Sequence, residues 1–218
     1  MEIICGDFRD FEIPPEAFVI SDPPYNQRYH YATYEDGLAD DEYASLLHDA
    51  FVGRKSVVIH YPEETIGLLG PLFQDFPEQV VSWVYPSNTA KQSRLITWWN
   101  CKPDFRKIGQ PYKNPTDKRI AKRILEGKTA RAYDWWEINQ VKNVSKKENA
   151  HPCPIPLELA RRIVLSTTQK GDLVVDPFAG SGTIGVACKE LGREFVGYEI
   201  DPMYCEIARE RLGNQNKE

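Results

Sequence analysis

The sequence predicts an α/β fold, a parallel sheet with helices on both faces, and three observations carry that prediction. Short apolar runs alternate with helix-period segments along much of the 218 residues. Several of the runs lack polar alternation, as strands buried on both faces do. Near the C-terminal end a glycine-rich turn joins a strand to a helix, a connection typical of strand–helix–strand units.

Residues 2–5 and 17–21 read as short strands, the second ending at two prolines. Residues 40–51 read as a helix with Leu46, Leu47 and Ala50 on one side, and 56–61 (S-V-V-I-H-Y) as a buried strand. A short helix over 62–69 and a strand over 79–85 follow. The periodicity then breaks up as far as Pro154. Beyond it Leu157, Ala160, Ile163 and Val164 form a helical stripe, 173–176 a strand, 183–191 a helix closed by Gly192, and 195–199 a strand. Asp201 and Pro202 suit the N-cap and first position of a last helix.

Composition fits a soluble globular chain with one full-sized core: 41% hydrophobic residues and a net charge of -5. No run approaches the roughly 20 apolar residues that cross a bilayer. The acidic N-terminal segment is no signal peptide, so the expected location is the cytoplasm, without a membrane partner. Five scattered cysteines (Cys5, Cys101, Cys153, Cys188, Cys205) with no C-x-x-C argue for a reducing compartment, against a disulfide framework and against a zinc site. Charge is unevenly spread. Residues 1–86 carry net -12, 87–150 net +9 and 151–218 net -2. A basic middle between acidic flanks suits a polyanionic partner, and equally a solvated lysine-rich face.

The strand at 173–175 runs into Asp176-Pro177-Phe178-Ala179-Gly180-Ser181-Gly182-Thr183, and Glu199 ends the next strand 19 residues after Gly180. Glycines at such a turn let a ligand approach the backbone, and an acid about 20 residues on can accept from two ribose hydroxyls. Gly180 to Gly185 also satisfies G-x-G-x-x-G, the dinucleotide pattern. Two features count against NAD. That pattern normally opens its domain, whereas here only 33 residues follow Gly185, so the fold would be circularly permuted. Asp176 at the strand tip suits a positively charged ligand and would repel a pyrophosphate on the helix N-terminus.

The strand at 17–21 leads into Asp22-Pro23-Pro24-Tyr25. Two prolines remove two backbone donors and fix φ at each. The segment thus presents a carboxylate, a rigid carbonyl and an aromatic face, suited to a planar ligand with an exocyclic amine. Alone it is equally common turn punctuation.

Together, Asp22–Tyr25 and 176–183 resemble the paired signatures of the S-adenosylmethionine-dependent DNA amino-methyltransferases, which act on adenine N6 or cytosine N4. The order, catalytic motif first and cofactor motif last, is similar to the family's permuted β group. The resemblance covers residues 1–86 and 151–218. It implies a Rossmann-like methyltransferase fold with a mostly parallel seven-stranded sheet, circularly permuted, carrying an embedded target-recognition segment over 87–150. It implies S-adenosyl-L-methionine as cofactor, held by Asp7, Asp22, His151, Asp176, Phe178, Ala179, Gly180, Ser181, Gly182, Thr183 and Glu199. Gly6-Asp7 resembles the early motif near the cofactor adenine, and His151 to Leu157 the motif before the helix over the methionine moiety. This chain has Ile155 where the family often carries Lys.

The implied chemistry uses Asp22, Pro23, Pro24 and Tyr25. Asp22 and the Pro23 carbonyl each accept one amine N–H and localise the nitrogen lone pair toward the sulfonium methyl. Tyr25 stacks on a base flipped out of the duplex. No covalent intermediate is needed, and the cysteines read as small buried hydrophobes. The four histidines show no triad or metal spacing. In the middle segment Thr116 caps an expected helix over 117–126 with Ile120, Ile124 and Leu125 inward, while Lys118, Arg119, Lys122 and Arg123 are offered to DNA phosphates. Double-stranded DNA is the expected partner, and a homodimer stays open. Rival readings are an NAD(P) oxidoreductase, a non-catalytic binder on the same fold, and a methyltransferase acting on RNA or a protein glutamine. Asp at the head of the tetrapeptide favours adenine N6 by family usage, with cytosine N4 second.

Overall fold

The computed structural model describes residues 1–28, 33, 34, 36–87, 89–141 and 154–213. Its strands are β1 (Glu2–Cys5), β2 (Phe18–Ser21), β3 (Lys55–His60), β4 (Gln79–Val84), β5 (Ser93–Trp99), β6 (Trp135–Glu137), β7 (Leu173–Asp176) and β8 (Glu194–Glu199). They form one sheet in the order β1-β8-β7-β2-β3-β5-β4-β6. Only β5 runs antiparallel to its neighbours, β3 and β4; the other pairs are parallel. The last two strands lie between the first two, which is the inferred permutation in spatial form.

Side chains alternate across the sheet, so adjacent residues feed opposite cores. Ile20, Val57, Ile59, Val174 and Trp98 face one cluster with Leu159 and Ile163 of α5 (Leu157–Thr167) and Ile184 of α6 (Thr183–Leu191). Val19, Val58, Val175 and Trp99 face the other with Leu46, Leu47 and Phe51 of α1 (Asp40–Phe51). Burial on both faces explains why these strands read as continuous apolar runs. Between β3 and β4, α2 (Pro62–Glu64) and α3 (Gly70–Phe73) flank a π-helical turn over Thr65–Leu69.

The middle of the chain departs from expectation. The sheet has eight strands, not seven, and 87–150 is not set apart from it. Ser93–Trp99 enters the sheet as β5, and Trp135–Glu137 adds β6 in parallel to the free edge of β4. Trp98, Trp99 and Trp136 are therefore core residues. The longest described stretch of this segment outside the sheet is 100–134, which carries α4 (Lys118–Leu125). Asp117, not Thr116, caps α4, accepting from the amides of Arg119 and Ile120. The expected inward face is also absent. No residue of α4 is buried, Ile120 is half-buried, and Ile124 and Leu125 are exposed, Leu125 by 89%.

The last helix, α7 (Pro202–Leu212), is capped by Asp201 and packs under the glycine-rich turn. Gly182, at φ +75, begins α6, and a Cβ there would stand 3.0 Å from Cβ of Ala208 on α7. At Gly185 a Cβ would meet the Phe195 ring at 2.6 Å, so this glycine sets how closely α6 lies on β8. Gly185→Ala should therefore push α6 off the sheet and cost about 1–3 kcal/mol of stability by overpacking, read as a lowered urea midpoint at unchanged m-value. An unchanged midpoint would show that Phe195 yields freely.

Candidate active site

Four adjacent strands in the sheet, β1, β8, β7 and β2, bring their carboxyl ends to one edge, and an acid stands at or just past each. In sheet order these are Asp7, Glu199, Asp176 and Asp22. They border a cavity of about 470 Å³ and a crevice of about 40 Å³ beside it. Asp7, Pro23, Pro24, Tyr25 and Glu199 line the cavity. Asp176, Ala179, Ser181 and Thr183 line the crevice, and Asp22, Phe178 and Gly180 reach both. Gly182 serves the packing of α6 on α7 and lines neither. His151 lies outside the described residues. Lys118, Arg119, Lys122 and Arg123 sit on exposed α4 and are not among the residues lining either opening.

Each acid is held differently. Asp7 caps the 3-10 turn Phe8–Asp10 and takes a two-pronged contact from Arg9 at 2.6–3.1 Å, which keeps its carboxyl below the ordinary range. Glu199 accepts the amides of Gly180 and Asp201, each at 2.8 Å. Burial still raises it, and the two amides only oppose the shift. Asp176 accepts from the Ser21 hydroxyl and, at 3.1 Å, from the Phe178 amide. Burial pushes it up to about 7, aided by the charges of Asp22 and Glu199. Asp22 is also raised by burial, against Arg94 and the Tyr25 hydroxyl, which lower it.

Around Asp22 the structure adds residues that the sequence did not flag. The Tyr25 hydroxyl donates to Asp22 Oδ1. The Tyr25 ring leans on His60 and Tyr61, with centroids at 4.7 and 5.0 Å, so it is a braced plate rather than a free one. Arg94, on β5, places Nη1 3.6 Å from Asp22 Oδ2 and its guanidinium carbon 4.9 Å from the Tyr25 ring centre. A chain of hydrogen bonds fixes the Pro-Pro segment from below. The Tyr61 amide donates to His60 Nδ1 at 2.9 Å, which leaves the proton of a neutral imidazole on Nε2. Nε2 then donates to the Tyr43 oxygen at 2.8 Å, and the Tyr43 hydroxyl donates to the Pro24 carbonyl at 2.7 Å. Arg211 on α7 ties down the other motif. Its guanidinium donates to the Ser181 carbonyl, to the Ser181 hydroxyl at 2.8 Å and to the Thr183 hydroxyl at 3.2 Å. None of these partners has a local sequence signature. Arg94 lies in the strand the periodicity missed, and Tyr43, His60 and Arg211 act across tertiary contacts.

Geometry thus joins two parts. One is an acidic, partly apolar cavity beside a glycine turn. The other is a rigid acceptor group, Asp22 with the proline carbonyls, against aromatic rings. Among the described residues no cluster of His, Cys, Asp and Glu could hold a metal ion, and no helix is long and apolar enough to cross a membrane.

The brace yields a pH test. Burial holds His60 down to about 3, with Arg94 and Lys91 adding to the effect. Below the ordinary value of 6.5 an unfolded His60 takes up a proton that the folded chain refuses, so its contribution to stability is full above 6.5 and is lost as pH falls toward 3. Asp176 acts oppositely, favouring the fold below 3.8 and losing that contribution as pH rises toward 7. His60→Gln should remove the first effect, gaining up to ~1.4 kcal/mol per pH unit relative to the parent below pH 6.5. Urea unfolding at pH 5 and 7 checks it, and parallel curves for the two proteins would show that His60 is not held neutral.

Comparison with known proteins agrees with this geometry. The DNA methylase family profile for N6 and N4 enzymes matches residues 17–210. The type II methyltransferase M.HpaI of Haemophilus parainfluenzae is 26% identical over 240 aligned positions, covering 98% of this chain and 74% of that protein. Other curated type II methyltransferases match over less than half of their own length. A solved M1.HpyAVI–SAM complex superposes with a TM-score of 0.63 at 21% identity, covering 97% of this chain and 98% of that one. PvuII DNA methyltransferase (cytosine-N4-specific) gives 0.68 at 17% identity over 99% and 86%. With the family profile spanning most of its length and an acid–proline–proline–tyrosine tip beside a glycine-turn cavity, the chain belongs to the N6/N4 DNA methylase family.

Proposed function

We propose that the chain transfers a methyl group from S-adenosyl-L-methionine to the exocyclic amine of a base flipped out of duplex DNA, and that the base is adenine. The observation that carries this is the placement of Asp22 where the cavity, with the braced rings of Tyr25 and Tyr61 in its wall, meets the crevice at the glycine turn. The cavity volume of about 470 Å³ is of the size that takes a nucleoside-sized ligand. Residues of this chain fit the cofactor. Asp176 and Glu199 are both raised by burial, and a ligand bearing positive charge would stabilise their ionised forms. Glu199 keeps lone pairs for ribose hydroxyls, and Asp7 stands at the far end of the row for the adenine. The bound cofactor supplies an electrophilic methyl on a sulfonium.

The chain's residues do the rest. Asp22 Oδ2 and the Pro23 carbonyl accept the two N–H bonds of the amine, drawing it out of conjugation. The His60–Tyr43–Pro24 chain holds the Pro24 carbonyl in place, one residue past the Pro23 acceptor, and so limits reorganisation of the segment as charge develops. Tyr25 and Tyr61 supply aromatic surface for the flipped base. Adenine rests on the family's use of Asp at the head of this tetrapeptide. Cytosine N4 is the second reading, favoured by the likeness to the PvuII enzyme. Exposed α4, with Lys118, Arg119, Lys122 and Arg123 and no buried face, suits contact with DNA phosphates, within the target-recognition segment expected over 87–150.

Incubation with labelled S-adenosylmethionine and duplex DNA, then digestion to nucleosides and mass spectrometry, should show N6-methyladenine. N4-methylcytosine alone would move the target to cytosine, and label on RNA or protein would change the substrate class. Asp22→Ala should lower turnover by at least about 100-fold, the scale for removing a preorganised group at the reacting centre, while binding of S-adenosylmethionine by calorimetry survives. Near-normal turnover would refute the acceptor role. Neutralising the four α4 cations together should weaken binding to every DNA sequence and flatten its salt dependence, with cofactor affinity unchanged. An unchanged salt slope would make α4 a solvated face.

A further inference from the structure

Arg94 has no place in the two motifs, yet it is built into the base side of the site. It is 6% exposed and lines the main cavity. Three aromatic rings surround its guanidinium, Tyr25 at 4.9 Å, Trp83 at 5.2 Å and Tyr61 at 5.4 Å. The buried Tyr85 is a further neighbour close enough to feel its charge. Its separation from Asp22 Oδ2, 3.6 Å, is too long for a hydrogen bond, so both groups keep capacity for a ligand. Nε–H is buried and has no hydrogen-bond partner among the described residues. A buried N–H without a partner is costly, and an incoming acceptor would remove that cost.

We propose that Arg94 contacts the flipped base, donating to the ring nitrogen beside the exocyclic amine while Asp22 accepts from the amine itself. The inference rests on the methyltransferase function proposed above and names how its target base is recognised. Asp22 Oδ2 and the Arg94 guanidinium form an acceptor and a donor side by side. Adenine presents the complement, the N6 amine next to the N1 lone pair, and so does cytosine, with its N4 amine next to N3. Guanine and thymine present the reverse, a carbonyl oxygen next to a ring N–H. With them the carboxylate would face an oxygen and the guanidinium would face a hydrogen, leaving two buried groups unpaired. The pair therefore selects an amino base at the ring edge, before the methyl is reached. Arg94 also lies against the ring on which the base would stack, so a planar cation and a planar base share that aromatic support.

A substrate-edge substitution tests this. Duplex DNA carrying the methylated base is compared with the same duplex in which that base is the deaza analogue, 1-deazaadenine or 3-deazacytosine, with C–H in place of the ring nitrogen. Single-turnover methylation is measured for the parent protein, Arg94→Met and Arg94→Lys, with S-adenosylmethionine binding as the check on folding. The parent should lose about 10- to 100-fold on the deaza base, the scale of one buried hydrogen bond. Arg94→Met should be slow on the natural base and lose at most about 3-fold more on the analogue, because the contact is already gone. Arg94→Lys, which keeps a donor, should retain part of the sensitivity. Equal losses in parent and Arg94→Met, or a parent indifferent to the analogue, would overturn the contact. No methylation of the natural base by the parent would instead bring down the methyltransferase function, and this inference with it.

Discussion

A row of acids at the ends of four neighbouring parallel strands is the constraint on which the site depends. Parallel strands deliver their carboxyl ends to one edge, and in this chain each of β1, β8, β7 and β2 delivers an acid. Among the described residues arginines attend only the two ends of the row. Arg9 grips Asp7, and Arg94 faces Asp22. Among the described groups Glu199 and Asp176 in the middle have amides and a hydroxyl rather than a cation, and both are raised in consequence of burial. Positive charge would thus be favoured in the centre of the row, and in the proposed function the amine of the base takes the Asp22 end. The geometry divides one continuous acidic edge into two chemically distinct halves.

Rigid support is unequal across that edge. On the base side, His60, Tyr43 and Pro24 form a closed hydrogen-bond chain anchored to the backbone of Tyr61. The cofactor side relies on the positive φ values of Gly180 and Gly182 and on the clasp from Arg211. Both supports come from residues distant in sequence, which is how a short motif obtains a fixed geometry that its own residues do not dictate.

Much of this was legible in the sequence because it follows local rules. The two-sided burial of β2, β3 and β7 leaves unbroken apolar runs. Asp201-Pro202 starts a helix by its own chemistry, and both motifs sit at strand ends where a turn is forced. The permutation was legible too, because the Asp22–Tyr25 motif precedes the glycine turn along the chain. What escaped notice lacked such rules. β5 carries Arg94 and Thr97 among apolar residues and is buried on both faces, so neither alternation nor a clean apolar run marks it. β6 has three residues, too few for a period, and owes its existence to the edge of β4. The helix at 118–125 was foreseen, but its apolar residues were given a core that the tertiary structure does not supply. Arg94, Tyr43, His60 and Arg211 matter through partners reached across the fold, which no spacing records.

The interleaving of the first and last strands has a consequence for how the chain is made. Among the described residues β1 pairs only with β8, and β2 waits for β7 on one side. Until β8 has left the ribosome, the earlier strands carry open edges and the acids lack their neighbours. Closing such distant pairings is slow, since the loop must be ordered before the contact is gained. A chain synthesised only as far as β6 therefore holds the Asp22–Tyr25 segment without the glycine turn, and the row of four acids is complete once β8 has paired with β1 and β7.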